Sequence, residues 1–153
     1  MQAQEAALPK QIKIGKERVK ARRELRLPEI DGYQLLKCDF HVHTIFSDGI
    51  VWPTLRVQEA WEEGLDAIAI TDHIEGQPAR QHVGKGHNNA FDMAKEEAAR
   101  RNIILVKGGE ITRSMPPGHL NALFVEDVDA LDQPDYMKAI EAAHKQGAFI
   151  QWR

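Results

Sequence analysis

The sequence of 153 residues holds a single cysteine, Cys38. No internal disulfide can form, and a cysteine-rich structural zinc module is excluded. Apolar runs are also short: none approaches the ~20 residues of a membrane-spanning helix, so no bilayer span and no membrane partner are expected. An excess of one charge is missing as well, since 20 basic residues face 23 acidic ones for a formal net charge of -3. That balance gives no general reason to expect nucleic acid as the partner. Internal repeats and low-complexity tracts are absent. Met1-Gln2-Ala3-Gln4 lacks the apolar core of a secretory signal. The default expectation is a soluble cytoplasmic protein, with a processed exported form left open. The chain is 42% hydrophobic and 28% charged. Those fractions belong to an ordinary globular domain with a sizeable core.

Residues 1–30 read as a basic arm. Lys10, Lys13, Lys16, Arg18, Lys20, Arg22, Arg23 and Arg26 stand against only Glu17 and Glu24, and Pro28 closes the stretch. A solvated arm or short surface helix is the plain reading; an arm that touches phosphates or an acidic partner is the sharper one.

Residues 31–153 alternate strand and helix. Leu35–Phe40 reads as a strand. Pro53 suits a first helical turn, followed by Val57, Ala60 and Trp61 on one face and a stop at Gly64. Ala67–Thr71 is a short buried strand. Asn88 or Asn89 can cap a helix bearing Phe91, Ala94 and Ala98, which ends in Arg100-Arg101. Ile103–Val106 and Leu120–Val125 read as further strands. Tyr136, Ala139, Ile140 and Ala143 form a helical stripe that Gly147 terminates, and Ala148–Trp152 begins a fifth strand. Continuous apolar strands between amphipathic helices indicate an α/β fold with a parallel sheet.

The polar residues fall at the strand ends. His41 and His43 follow the first strand two residues apart, so period two places both on one face. Asp48 lies in the next loop, Asp72-His73 ends the second strand, and Glu110 follows Gly108-Gly109 past the third. Those are the carboxyl ends of parallel strands, where α/β proteins build sites. His119 falls at the beginning of the fourth strand, so it needs a bend or bulge to reach the same mouth.

Four imidazoles and three carboxylates in one mouth would repel one another or be costly to bury without compensation. Divalent cations supply it. Mixed nitrogen and oxygen ligands suit Zn²⁺, Mn²⁺ or Fe²⁺ better than Ca²⁺ or Mg²⁺. So many donors exceed what one tetrahedral ion uses, so two or three metals are expected. Neighbouring ions can generate hydroxide from bound water and clamp the oxygens of a displacement at phosphorus. His82 and His87, in a loop rich in Gly and Asn, are either substrate contacts or solvated residues. His144 reads as a solvated residue near a helix end, and Cys38 as a small buried hydrophobe.

Asp39-Phe40-His41-Val42-His43-Thr44, Ser47-Asp48-Gly49, Ile70-Thr71-Asp72-His73, Gly109-Glu110-Ile111-Thr112 and Gly118-His119-Leu120-Asn121-Ala122 resemble, in order, the motifs of the polymerase and histidinol phosphatase (PHP) family. The likeness covers roughly Tyr33 to Trp152. It implies a distorted seven-stranded (β/α) barrel, of which this chain supplies about five strands, with a trinuclear metal cluster and phosphoesterase activity on a small phosphorylated substrate. Carried over by position, the ligands are His41, His43, Asp48, His73, Glu110 and His119. Asp72 is then expected to orient His73 or a metal-bound water. Arg113 is a candidate phosphate clamp, or a surface arginine.

Family members continue with an Asn-His-Pro segment and a later Asp-x-His, which complete the cluster and have no counterpart here. This implies the N-terminal portion of a longer enzyme, with a gene fragment or a second copy completing the sheet as alternatives. A non-catalytic metal-binding or interaction module is the rival reading. A nuclease holding DNA with the basic arm is a third.

Overall fold

Cys38–Val42 form the first strand, β1, in a computed structural model that describes residues 21–152. The chain then turns into helix α1, Pro53–Glu62, with proline in the first turn, where its missing N–H costs nothing. Gly64 ends this helix at φ +82°, and a Cβ there would stand 2.3 Å from the Arg23 carbonyl oxygen. Only glycine meets both demands. Strand β2, Ala67–Ile70, is buried at every position, as a strand covered on both faces must be. A short helix α2, Arg80–Val83, precedes α3, Asn89–Arg101. Strand β3, Ile104–Thr112, and strand β4, His119–Leu123, lead to helix α4, Tyr136–Lys145, and strand β5, Phe149–Trp152. Asp135 caps α4 by accepting the Lys138 N–H at 2.9 Å.

The five strands lie in the order β1-β2-β3-β4-β5, a mixed α/β half-barrel. β1, β2 and β3 are parallel, but β4 is antiparallel to both β3 and β5. The all-parallel expectation is therefore corrected at β4. Only residues 113–118 separate β3 from β4. A parallel crossover needs a dozen residues or more, so this connection can only make a hairpin. Strand boundaries also move, most of all in β1 and β3. β1 starts at Cys38 rather than Leu35, leaving Leu35 and Leu36 exposed before it. β3 runs on through Lys107-Gly108-Gly109-Glu110, whose polar and glycine residues hide a strand from a search for apolar runs.

Two apolar clusters cover the outer face of the sheet. Val57 and Ala60 of α1 and Ala94 and Ala98 of α3 pack on Ile68 and Ile70. Ala139 and Ala143 of α4 pack on Ile111 and Leu120. Ala69, Val106 and Leu123, with Phe40 beside them, face the inside of the half-barrel. Gly109 permits the second cluster to close, because a Cβ there would stand 2.7 Å from Val128 Cγ1. Phe149 and Trp152 on β5 are 62% and 67% exposed, so this edge strand shows apolar rings to solvent.

Lys10, Lys13, Lys16, Arg18 and Lys20 of the expected basic arm lie outside the described residues. Its described end is tied to the α1–β2 connection: Arg22 pairs with Asp66 at 2.9 Å, and the Arg23 N–H donates to the Glu62 carbonyl at 2.9 Å. Among the described residues no helix is long and apolar enough to cross a membrane.

Candidate metal centre

Glu110 sits inside β3 with its side chain 1% exposed. A bare carboxylate at that depth would be expensive. Four imidazoles from three parts of the fold surround it. Oε2 lies 2.7 Å from His41 Nε2 and 3.0 Å from His43 Nε2. Oε1 lies 2.5 Å from His119 Nδ1 and 3.2 Å from His73 Nδ1.

Each ring arrives by a definite local device. One extra residue in β1 between Asp39 and Val42, against Ile68–Ile70 of β2, makes a bulge that re-aims the strand at its mouth. His41 lies within that bulge and His43 directly follows the strand. His73 continues the parallel register three residues beyond β2: it bridges to Glu110, and the Glu110 N–H donates to the Asp72 carbonyl at 3.0 Å. His119 is the first residue of β4 and pairs with Thr112. Because β4 is antiparallel, its beginning lies at the same mouth as the ends of β1 to β3. No bend is needed.

Asp48 closes the cluster from the solvent side. Its Oδ1 is 2.7 Å from His43 Nδ1 and its Oδ2 3.4 Å from His73 Nε2, while its side chain is 60% exposed. Three overlapping donor groups result: His41, His43 and Glu110; His43, Asp48 and His73; and His73, Glu110 and His119.

The electrostatics follow the geometry. Burial pushes Glu110 up, but hydrogen bonds from His43 and His73, the charge of His73 and the bond from His119 outweigh it, holding the carboxyl far below its usual range. Burial lowers His43, and its bonds to Glu110 and Asp48 more than reverse this. For His73 the bond to Glu110 is the largest influence, and the net shift is also upward. Asp48 is raised by burial but pulled down overall by His43 and then His73.

Of the rings around this carboxylate, His43 and His73 are shifted upward, and the donor set fits a metal. His41 Nε2 and His43 Nε2 lie 2.9 Å apart while both face Glu110 Oε2. Two N–H groups cannot donate to each other, whereas donors ~2.1 Å from one ion stand about 3.0 Å apart at right angles and ~3.4 Å apart at the tetrahedral angle. The triangle of 2.7, 2.9 and 3.0 Å is near the right-angled spacing.

The structure thus brings His41, His43, Asp48, His73, Glu110 and His119 together. Three other expected site residues sit differently. The Asp72 carboxylate does not reach the His73 ring; Oδ1 accepts from the Thr44 N–H and the Ser47 hydroxyl and Oδ2 from the Thr44 hydroxyl, each at 2.6 Å. Arg113 pairs with Glu75 and donates to the Gln133 carbonyl at 2.8 Å. His87 is buried, with Nδ1 2.8 Å from Gln77 Nε2 and Nε2 3.3 Å from Asp132 Oδ2.

Sequence reasoning missed Thr112, whose Oγ1 lies 2.6 Å from His73 Nδ1, and Glu75, which accepts the Thr112 N–H at 2.7 Å. Thr112 stands two residues from Glu110 on a strand, so period two could have placed it on the site face. Arg56 was also missed. Its Nε donates to the His43 carbonyl at 2.9 Å, and it lines a cavity of about 270 Å³ beside His41 and His43.

The PHP domain profile matches residues 39–151. A two-domain protein of Bacteroides vulgatus containing a predicted PHP-like metal-dependent phosphoesterase superimposes with a TM-score of 0.83 at 54% identity, over 85% of this chain and 38% of that one. An uncharacterized protein of Methanocaldococcus jannaschii is 37% identical over 84 residues, 54% of this chain and 36% of that protein. The chain spans little more than a third of the length of these relatives.

Proposed function

Since this chain belongs to the PHP domain family, we propose that it carries the metal-binding half of a phosphoesterase acting on a small phosphorylated substrate. The observation that carries this reading is Glu110: a buried carboxylate whose two oxygens each face two imidazoles. His41, His43, Asp48, His73, Glu110 and His119 would hold two or three divalent cations, with Zn²⁺, Mn²⁺ and Fe²⁺ suited to such mixed donors. When bound, the cations would supply Lewis acidity, which neutralises charge on a phosphate ester and eases the deprotonation of water.

The protein's own residues prepare the rest. Glu110 offers one oxygen to the His41–His43 side and the other to the His73–His119 side, so it could help hold a cation on either side. Its burial keeps solvent away and strengthens every Coulombic interaction around it. The Thr112 hydroxyl at His73 Nδ1 fixes which nitrogen of that ring points at Asp48. Asp48 and His119, with side chains 60% and 45% exposed, are the open members of the set. A substrate would therefore approach across them.

Elemental analysis of the dialysed protein, paired with phosphate release from a generic phosphomonoester in Mn²⁺ or Zn²⁺, tests the reading. Glu110→Gln is expected to lose both bound metal and turnover. A parental protein that holds no divalent ion sinks the proposal, and tight binding without turnover would leave only a metal-binding module.

A further inference from the structure

The donor group His43, Asp48 and His73 has a property that the other two groups lack. Each of its three members is the immediate chain neighbour of one corner of a buried polar triangle. Thr44 follows His43, Ser47 precedes Asp48, and Asp72 precedes His73. Thr44, Ser47 and Asp72 are 0%, 1% and 7% exposed. The Thr44 N–H and the Ser47 hydroxyl both donate to Asp72 Oδ1, and the Thr44 hydroxyl donates to Oδ2, each at 2.6 Å.

We infer that Asp72 is a positioning residue for this one group, acting through Thr44 and Ser47, given the reading of these residues as metal ligands. Three donors converge on one side chain, and a carboxylate has enough lone pairs to take them all. The 44–47 turn is further closed by the Ser47 N–H on the Thr44 carbonyl at 3.1 Å, and the Thr44 hydroxyl also accepts the Phe46 N–H at 3.2 Å. With the turn pinned to Asp72, the reach from His43 to Asp48 is set, and the backbone of Asp72 delivers His73 to the other oxygen of Asp48. The same residue's carbonyl accepts the Glu110 N–H, so the triangle is registered against the deepest ligand as well. Glu110 and His119, by contrast, are placed by the β3–β4 ladder, and His41 by β1. Only Asp48 belongs to this group alone, while His43 and His73 are shared with the other two, so loss of the triangle should loosen the ion beside Asp48 most and the others far less.

The test is a stepwise Mn²⁺ titration of the full chain, following free Mn²⁺ by electron paramagnetic resonance, with melting temperature measured in parallel. Outer partners of metal ligands typically set affinity by about 10–100-fold. Ser47→Ala and Asp72→Asn are expected to weaken one ion by that factor and leave the remaining affinity within about threefold of the parent. Thr44→Ser, which keeps the hydroxyl, is expected to behave like the parent, and Thr44→Val like Ser47→Ala. In the metal-free protein, imidazole ¹⁵N shifts of His43 and His73 should move in the weakened variants while those of His41 stay. If Asp72→Asn does not fold, Ser47→Ala and the threonine pair decide alone. Unchanged affinities overturn the inference, as does uniform weakening of every ion in step with the melting temperature. A parental protein that takes up no Mn²⁺ overturns the metal reading itself, and the inference with it.

Discussion

Nδ1 of His119 stands 2.5 Å from Oε1 of Glu110, and the two belong to neighbouring antiparallel strands. The hairpin between β3 and β4 reverses the chain, so the first residue of the returning strand meets a side chain two residues before the turn. His119 is 45% exposed at its side chain and makes little core. His119→Ala should therefore leave the fold intact and weaken metal binding in the group it shares with His73 and Glu110. The expected outcome is a loss of at least ~10-fold in affinity for one ion, with an unchanged far-ultraviolet spectrum. Calorimetric titration with Mn²⁺ measures it. An unaltered binding isotherm would remove His119 from the ligand set.

The metal-free site also sets a pH window. Glu110 is held far below its ordinary value of 4.5, so its share of stability is present above pH 4.5 and is lost only as pH falls through the depressed value. His43 and His73 are raised above their ordinary 6.5, so their share is present below pH 6.5 and is lost as pH rises through the raised values. The cluster's contribution is therefore full between pH 4.5 and 6.5. Melting temperature against pH in chelator, parent minus Glu110→Gln, should peak in that interval. Added Zn²⁺ should move the peak above pH 6.5 and release protons on binding, because a cation replaces the imidazolium protons. A difference curve that climbs steadily from pH 6.5 to 8 without metal would contradict the arrangement.

The six clustered residues were legible as a set because each falls at or near a strand end in the alternating pattern, and strand ends on one side of such a sheet share a mouth. What the pattern hid is informative. β3 escaped detection past Val106 because Gly108 and Gly109 give no apolar signal. Gly109 is small because Val128 and Ile74 press against it. The reversal of β4 was readable from the short link that carries Pro116-Pro117-Gly118, yet the surrounding βα alternation suggested a crossover. Asp72 was assigned by its adjacency to His73, but adjacent residues near a strand end point to opposite faces. Its carboxylate accordingly serves the 44–47 turn. Arg113 and His87 have partners far away in the chain, Gln133 and Asp132, which no local pattern reveals.

Gly64 offers a test of the scaffold apart from the chemistry. At φ +82°, with the Arg23 carbonyl 2.3 Å from where a Cβ would be, Gly64→Ala incurs both backbone strain and a backbone clash. Destabilisation should exceed ~1 kcal/mol, read as a lowered urea midpoint at constant slope. The substitution lies between α1 and the start of β2, at the opposite end of the strands from the cluster. Mn²⁺ affinity of the folded protein should thus match the parent, and a large loss of affinity would show that the α1–β2 connection reaches the site.

Arg113 separates two roles by kinetics. Its guanidinium is committed to the Glu75 carboxylate and the Gln133 carbonyl, and its side chain is 20% exposed. Glu75 in turn accepts the Thr112 N–H at 2.7 Å, and Thr112 holds His73. An arginine spent in this way ties the loop after β2 to the end of β3 and to the segment before α4. Removing it leaves Glu75 without its cation, so Arg113→Ala should cost on the order of 1.5–3 kcal/mol of stability, as hydrogen bonds to charged groups do. With any phosphoester that the protein turns over, KM should stay within about threefold of the parent, because the group does not need to face substrate. A phosphate clamp behaves in the opposite way. Losing a bidentate, charge-assisted contact would raise KM at least about tenfold while the melting temperature held, and that pair of results would return Arg113 to the substrate side of the site.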